Sequence, residues 1–508
     1  MIARKIAFTY FGQLLVSGMG FVALIFIGHF MGPTPLGIVA YGMAFIGMFR
    51  FIPDLGFNAA HVKRLSEGKD PARCNGTFLT TKAILTVVMA LAVLGVIATT
   101  NMQGPWAENP EQLTVVYILL IFFVLQSLGE GAQYTFQAGR ESVKEQLPQM
   151  LRAAVRLAVV IVVALAGMGV VALASSYVLG GLALVLASLL LIRNYPLAKP
   201  NWGYFKSYFR FALPVAFYSV IVFLNISIDK LMIGNFYGVD EVAFYFSGEQ
   251  FIMVIITLSA SVGILLFPTI SALHARNDMA GIRRVTNMSE RYLSIIITPL
   301  VVLCAVFAAP LITIFLGDKF LPAVPIFRLL LIVTYLSSIN ISYGRQMEGT
   351  NRPGLGVKIA SVNIILNTIL NLIFIPDQLF GIRLLGLGAM GAAMATAISF
   401  FPAFVLMRFY AYKITGTRSN WRVLLHLFAA GAVGGGAYFA SLTIAVIHWY
   451  HLIGFGIAFM AVYLGILYLM REFTRDDYRY LLDLLNPRKM KDYAKSELTK
   501  PKNGDNDD

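Results

Sequence analysis

The chain has 508 residues, of which 58% are hydrophobic and only 13% charged, with a formal net charge of +14. A water-soluble protein carries roughly twice that share of charged residues, so the composition excludes a soluble globular protein and points to a membrane protein. Two cysteines exclude a disulfide framework, and no Cys/His cluster has metal-ligand spacing, so neither a metal nor another cofactor is expected.

Fourteen apolar segments follow in chain order, at 6–30, 36–57, 78–98, 113–137, 152–167, 170–192, 211–236, 242–270, 291–316, 325–347, 357–376, 386–410, 421–447 and 452–470. At 1.5 Å per residue each is long enough to cross roughly 30 Å of hydrocarbon, except that 152–167 needs neighbouring residues to complete it. The first segment is too long for a cleavable signal and no small-residue cleavage site follows it. The predicted fold is therefore all-α and polytopic, with about 14 transmembrane helices.

Charge orients the spans. Of 40 Lys and Arg residues, three lie in odd-numbered connections (Lys319, Arg328, Arg383) and three inside spans (Arg50, Lys82, Lys230). The other 34 lie in even-numbered connections, the termini or the helix ends beside them. The positive-inside rule then predicts a multi-pass protein of the cell (plasma or inner) membrane with both termini cytoplasmic. The tail after Met470 carries nine basic and nine acidic residues, so the net excess belongs to the membrane body. It reads as a topology signal in contact with anionic membrane lipids, and not as a nucleic-acid site. The tail begins with a short amphipathic stretch, Asp477 to Leu485, and its end has a disordered composition.

The odd-numbered connections are short, the longest running from about Thr99 to Gln112. They leave no room for an extramembrane polymerase or transferase site. Transport is expected, and not an enzyme.

An ungapped shift of 206 positions places Ile27, Gly28, Phe30, Gly32, Gly42 and Phe45 on Ile233, Gly234, Phe236, Gly238, Gly248 and Phe251. Both stretches leave the cytoplasm, turn at a short Gly-containing outer loop and return. Two parallel six-span lobes follow, at 1–195 and 211–412, joined by a cytoplasmic linker at 196–210. Spans thirteen and fourteen (413–470) and a tail (471–508) are appended. Parallel halves of this kind rock about a central cavity.

On these residues the chain resembles the polysaccharide and lipid-linked oligosaccharide flippases of the multidrug/oligosaccharidyl-lipid/polysaccharide exporter superfamily. The likeness rests on Gly32-Pro33-Thr34-Pro35-Leu36-Gly37, Asp54-Leu55-Gly56-Phe57, Asp229-Lys230-Leu231-Met232-Ile233-Gly234, the Gly-rich stretch from Gly386 to Ser399, Asn367 and Pro376. It implies a two-lobe exporter fold with a cationic central cavity. The implied cargo is a polyprenyl phosphate or pyrophosphate bearing sugars, moved by alternating access during cell-surface polysaccharide or glycoconjugate synthesis. The implied partners are that polyprenyl-linked oligosaccharide, membrane lipids, and glycosyltransferases or a polymerase of the same pathway. In the peptidoglycan-precursor branch an extra helix pair contributes to a lipid groove, a role that spans thirteen and fourteen would carry here only by analogy. An ion-coupled exporter of drugs or amphiphiles, and a non-catalytic scaffold of a glycan-assembly complex, are the alternatives.

Such a cargo calls for cations to meet phosphate and neutral polar groups to meet hydroxyls, in a wet cavity where charge is tolerated. Arg50 lies four residues before Asp54, so an intrahelical pair is the simple reading, and Pro53 between them is expected to kink the helix. The resemblance makes Arg50 a headgroup contact. In span four, Gln126, Glu130, Gln133 and Gln137 share one helical face, either a cavity wall for sugars or a helix–helix contact. Arg152 and Arg156 stand one turn apart with no acidic residue at i±3 or i±4, an arrangement suited to phosphate, to topology anchoring or to pairing with Glu130. Lys230 and Glu249 match in depth, as a buried ion pair or, with Asp229, a coupling site. Asn363, Asn367 and Asn371 share one face of span eleven and read as helix–helix glue.

Overall fold

The computed structural model describes residues 2–100, 110–443, 446 and 448–473. Fourteen of its helices are long and apolar enough to cross a membrane, so the all-α polytopic architecture holds. Most of the longest odd-numbered connection (101–109) and the stretch Asp477 to Leu485 lie outside the described residues.

Span one is α1 (Ile2–Phe26), which ends in a π-helical turn, Ile27–Met31. Span two is assembled from α2 (Pro33–Gly47), a 3-10 turn at Met48–Arg50, the short α3 (Phe51–Asp54) and α4 (Phe57–Ser66). Helices α5 (Pro71–Thr100), α6 (Pro110–Ala138), α7 (Ser142–Leu165) and α8 (Val170–Ile192) complete the first six spans. Span five is thus longer than the sequence suggested, because the helix continues into the polar stretch 142–151 that carries no hydrophobic signal. Arg152 and Arg156 consequently lie about three to four turns inside α7, and not at its end.

The second six spans are α9 (Trp202–Tyr237), α10 (Val239–Ala275), α11 (Met279–Val306) with the short α12 (Ala308–Leu316), α13 (Ala323–Gly349), α14 (Pro353–Phe374) and α15 (Gly388–Thr415). Asn201 caps α9, its side-chain oxygen accepting from the amides of Gly203 and Tyr204. A two-residue antiparallel pair, β1 (Gln378–Leu379) with β2 (Ile382–Arg383), closes the turn between α14 and α15. Helices α16 (Arg422–Thr443) and α17 (Trp449–Leu469) pack on α11 through Ile295, Ala429, Ala430, Phe459, Tyr463 and Leu467. Glu472, just beyond α17, is buried between Arg291 and Arg422 and fixes the base of this pair.

The 206-residue repeat has a structural counterpart. Gly32 and Gly238 adopt the same backbone conformation, φ 83° and 89°, immediately before α2 and α10. That positive φ is strained for any residue with a Cβ, which is why glycine recurs. The repeat extends to packing. Gly42 faces Leu119 of α6, the fourth span, and its counterpart Gly248 faces Leu330 of α13, the tenth.

The lobes approach each other closely where α2 meets the end of α9 and the start of α10. A Cβ on Gly37 would stand 1.9 Å from the Val239 carbonyl oxygen, and one on Gly234 would stand 2.1 Å from the Tyr41 ring. The Tyr41 hydroxyl donates to Asn235 at 2.9 Å across the same seam. At the opposite end the first half of α9 packs on α4, with Tyr208 and Ala212 against Phe57 and Ala60.

Span two is broken and not merely kinked. Pro53 lacks an amide for the turn before it, and the chain passes through Leu55 (φ 35°) and Gly56 (φ 76°) before α4 resumes. Gly56 is required twice, since a Cβ there would also stand 2.6 Å from the Ala212 carbonyl oxygen.

Candidate functional site

A cavity of about 370 Å³ lies between the lobes. Arg50, Arg152, Arg156 and Lys230 line it, with Gln126, Gln250 and Ser227 among the neutral polar groups and Phe122, Phe123, Phe223 and Tyr177 among the aromatic ones. Four of the sequence-predicted residues, Arg50, Gln126, Arg152 and Arg156, therefore share one wall system, joined by Lys230 from the opposite lobe.

The four cations differ in how they are neutralised. Arg50 donates to Glu130 at 2.8 Å, with its guanidinium 5.8 Å from the Phe123 centroid and 5.6 Å from that of Phe223. The expected pair with Asp54 is absent. The 3-10 turn and the following break change the helical register that an i, i+4 pair needs. Lys230 bonds Glu249 at 2.8 Å, so these two form an ion pair, with Lys230 buried and Glu249 half-buried.

Among the described residues Arg152 and Arg156 make no ion pair with a carboxylate. The Arg152 Nε donates to the Gln149 amide oxygen at 2.8 Å. Arg156 lies 4.0 Å from the Tyr177 ring centroid and donates to its hydroxyl at 2.7 Å. Pairing of either with Glu130 is replaced by the Arg50–Glu130 pair. Two guanidinium groups with neutral partners thus stand on the wall of one cavity, inside a membrane-spanning helix. Charge so placed is costly unless water or a counter-ion reaches it, so the cavity favours an anion.

The polar face of α6 serves three purposes. Gln126 lines the cavity and donates to Glu130 at 2.9 Å. Glu130 serves as the counter-ion of Arg50. Gln133 is no cavity wall: it is buried and accepts from the Gln149 amide at 2.8 Å, a helix–helix bond to α7. Gln137 is exposed at the end of α6. Gln149, which links Gln133 to Arg152, escaped the sequence reading because span five was begun too late.

A smaller pocket of about 70 Å³ shares Arg50, Phe123 and Phe223 with the main cavity. Here the buried Lys82 donates to Asn58 at 3.0 Å, Asn58 donates to Asp54, and Asp54 accepts from Ser219 of α9 at 3.0 Å. The sequence marked Lys82 as a cation inside a span but gave it no role. Its partners come from the broken segment of span two, which local spacing did not reveal.

Asp229 lies apart from the Lys230–Glu249 pair. It accepts from the Tyr245 hydroxyl at 2.8 Å and from Asn371. Asn371 donates to Asn367 at 3.1 Å, Asn367 donates to Thr396 at 3.2 Å, and Asn363 donates to Ser399 at 3.4 Å. The three asparagines of α14 therefore knit α14 to α15 and α9, as their common face suggested.

Known proteins resemble this one in sequence and fold. The probable low-salt glycan biosynthesis flippase Agl15 of Haloferax volcanii is 24% identical over 440 residues, covering 85% of this chain and 89% of that protein. The lipid II flippase MurJ in an inward closed conformation superposes with a TM-score of 0.74 at 14% identity, covering 92% of this chain and 99% of MurJ. An inward-facing multidrug resistance transporter of the MATE family superposes with a TM-score of 0.57 at 15% identity, over 81% of this chain and 96% of that one. These structural likenesses establish the two-lobe fold. A family profile matches residues 27–325, from the end of span one into span ten, and by that match the chain belongs to the polysaccharide biosynthesis protein family.

Proposed function

We propose that this protein is a flippase for a polyprenyl phosphate- or pyrophosphate-linked oligosaccharide, moving it from the cytoplasmic to the outer leaflet by alternating access. The observation that carries the proposal is the pair Arg152 and Arg156 on the wall of the inter-lobe cavity, bonded to neutral groups and to no carboxylate among the described residues. The Haloferax relative, a probable glycan biosynthesis flippase aligned over most of both chains, supports a flippase role in glycan synthesis.

In this reading the anionic headgroup binds Arg152 and Arg156 by charge-assisted hydrogen bonds. It also competes with Glu130 for Arg50. Gln126 and Gln250 offer hydrogen bonds to sugar hydroxyls, and Phe122, Phe123 and Tyr177 offer flat faces to sugar rings. Lys230 is a further cation from the second lobe, held in reserve by Glu249. Separation of the outer glycine-lined seam and closure of the inner end would carry the headgroup across, while the lipid tail stays in the bilayer. Asp229, buried among uncharged donors, is the carboxylate placed to couple this motion to an ion. The basic loops and both termini face the cytoplasm. The cargo would come from the glycosyltransferases that build it and pass to an acceptor on the outer side.

Depletion of the protein in its native cell, with mass spectrometry of the polyprenyl-linked glycans, tests the proposal. One complete lipid-linked oligosaccharide is expected to accumulate, inaccessible to reagents outside the cell. An unchanged lipid-linked glycan pool would reject the flippase and bring amphiphile export forward.

A further inference from the structure

Away from the central cavity, a second basic site lies where α11, the end of α15 and the loop before α16 converge. A surface pocket of about 610 Å³ is lined by Arg283, Asn287, Tyr412, Lys413, Gly416 and Arg418. Three cations and no carboxylate line it. None of the three cationic side chains makes an ion pair among the described residues. The nearest buried acid on α11, Glu290, is already occupied by Arg408, by the Tyr343 hydroxyl at 2.7 Å and by the backbone amide of Asn420 at 3.1 Å.

Those same bonds make the pocket a built feature. Glu290 ties the loop that carries Arg418 to α11. Thr415 and Thr417 bond each other at 2.7 Å, and Gln346 of α13 donates to Thr415. Gly416 ends α15 at φ 75°, and a Cβ there would stand 3.4 Å from a guanidinium nitrogen of Arg283. The glycine therefore lets the Arg283 head lie close against the loop. Asn287 adds an independent sign of an absent ligand: its side-chain amide oxygen is buried without a hydrogen-bond partner, and a buried amide left so is costly. A hydroxyl on an anionic ligand would satisfy it.

The position identifies the source of the anion. Phe409 and Tyr412, on the last two turns of α15, are 56% and 52% exposed. Large aromatic groups exposed at a helix end on the basic-loop face mark the bilayer interface. We propose that this pocket binds the phosphate headgroup of an anionic phospholipid, with Arg283, Lys413 and Arg418 around the phosphate and Asn287 accepting from a headgroup hydroxyl. Phosphatidylglycerol has this chemistry: one negative charge and free hydroxyls. The bound lipid would brace α11 against α15, beside the junction that carries α16 and α17. The assignment is independent of what crosses the central cavity.

The test uses the full chain in detergent, titrated with phosphatidylglycerol or phosphatidylcholine and read by native mass spectrometry. The wild type is expected to retain phosphatidylglycerol preferentially, and Arg283→Gln/Lys413→Gln/Arg418→Gln to lose roughly tenfold or more in that preference. A control that removes three exposed cations elsewhere, Arg193→Gln/Lys199→Gln/Lys206→Gln, should leave it unchanged. Should the triple variant lose cooperative unfolding, Lys413→Gln alone decides, with an expected loss of about threefold. Equal retention by variant and wild type overturns the site. A thermal shift with millimolar inorganic phosphate as large as that with phosphatidylglycerol, abolished by the same substitutions, overturns the lipid assignment in favour of a free phosphate.

Discussion

The two lobes share a turn, a glycine and a packing pattern, yet they use charge in opposite ways. In the first lobe Arg152 and Arg156 face the cavity with only neutral partners. In the second lobe the buried cations have carboxylate partners, Lys230 with Glu249, Arg408 with Glu290, and Arg291 with Glu472 beyond α17, while the buried carboxylate Asp229 bonds only neutral groups. Span two, the first-lobe member of the repeat, is broken at Leu55–Gly56, whereas its counterpart α10 runs unbroken for 37 residues. Under the 206-residue shift Arg50 falls on Ile256. A common scaffold is thus used twice, and the cavity-lining guanidinium groups without an ion pair among the described residues lie in the first lobe.

The largest expected effect tests that asymmetry. Arg152→Ala/Arg156→Ala should lower headgroup translocation by at least about 100-fold, because each charge-assisted hydrogen bond lost is worth about 1.5–3 kcal/mol. The measurement is export of the lipid-linked glycan, with membrane insertion of the variant confirmed separately. Lys230→Met, in the other lobe, should cost far less. Comparable losses from both would mean that the lobes share the anion equally, and the contrast drawn above would fail.

The Arg50–Glu130 pair comes next. Arg50→Ala strands a carboxylate that is only 16% exposed. It should lower stability by about 2–4 kcal/mol, at or below the usual range for a broken buried pair because the cavity admits water. Glu130→Gln removes the charge but keeps a group able to bond Gln126, so its cost should be smaller. The double variant should lose less than the sum, with a coupling of about 1–3 kcal/mol in denaturant unfolding. Additivity would place the pair's role outside the folded state described here.

What the sequence revealed and what it hid follow from the range of the interactions. Gly32 and Gly238 were legible because a φ of 83–89° combined with an extended ψ is a conformation that glycine alone adopts readily, whatever surrounds it. Arg152 and Arg156 were legible because the absence of an acid within a turn is a local property. The partner of Arg50 was not, since Glu130 is 80 residues away and the 3-10 turn at Met48–Arg50 removes the register that favoured Asp54. The two readings of Gln133 could not be separated from the sequence, because its partner Gln149 lay in a helical extension too polar to register as a span. Lys82 shows the same limit: its cost is evident from the chain, but Asn58 reaches it only through the break at Gly56.

The outer seam gives the third prediction. A side chain at Gly234 must displace the Tyr41 ring, so Gly234→Val should disfavour the outer-closed arrangement by about 1–3 kcal/mol, the usual penalty of overpacking. Outer labelling of a cysteine placed at Asn235 should then rise by about 5-fold or more, with transport reduced. Unchanged labelling would show that the seam yields without lobe separation.

The smallest effect sharpens the repeat. Gly32 and Gly238 have nearly equal φ, but the space around them is not identical. A Cβ on Gly32 would stand 3.7 Å from the Lys319 side chain, an ordinary contact, and one on Gly238 would meet nothing within 4 Å. Neither substitution therefore adds a clash, and each Gly→Ala change should cost only the backbone strain, about 1–2 kcal/mol. Matching shifts in thermal unfolding at the two sites would identify the turn as one element used twice. A larger loss at Gly32 would point instead to its lobe, the one with the broken helix, as the less tolerant of strain.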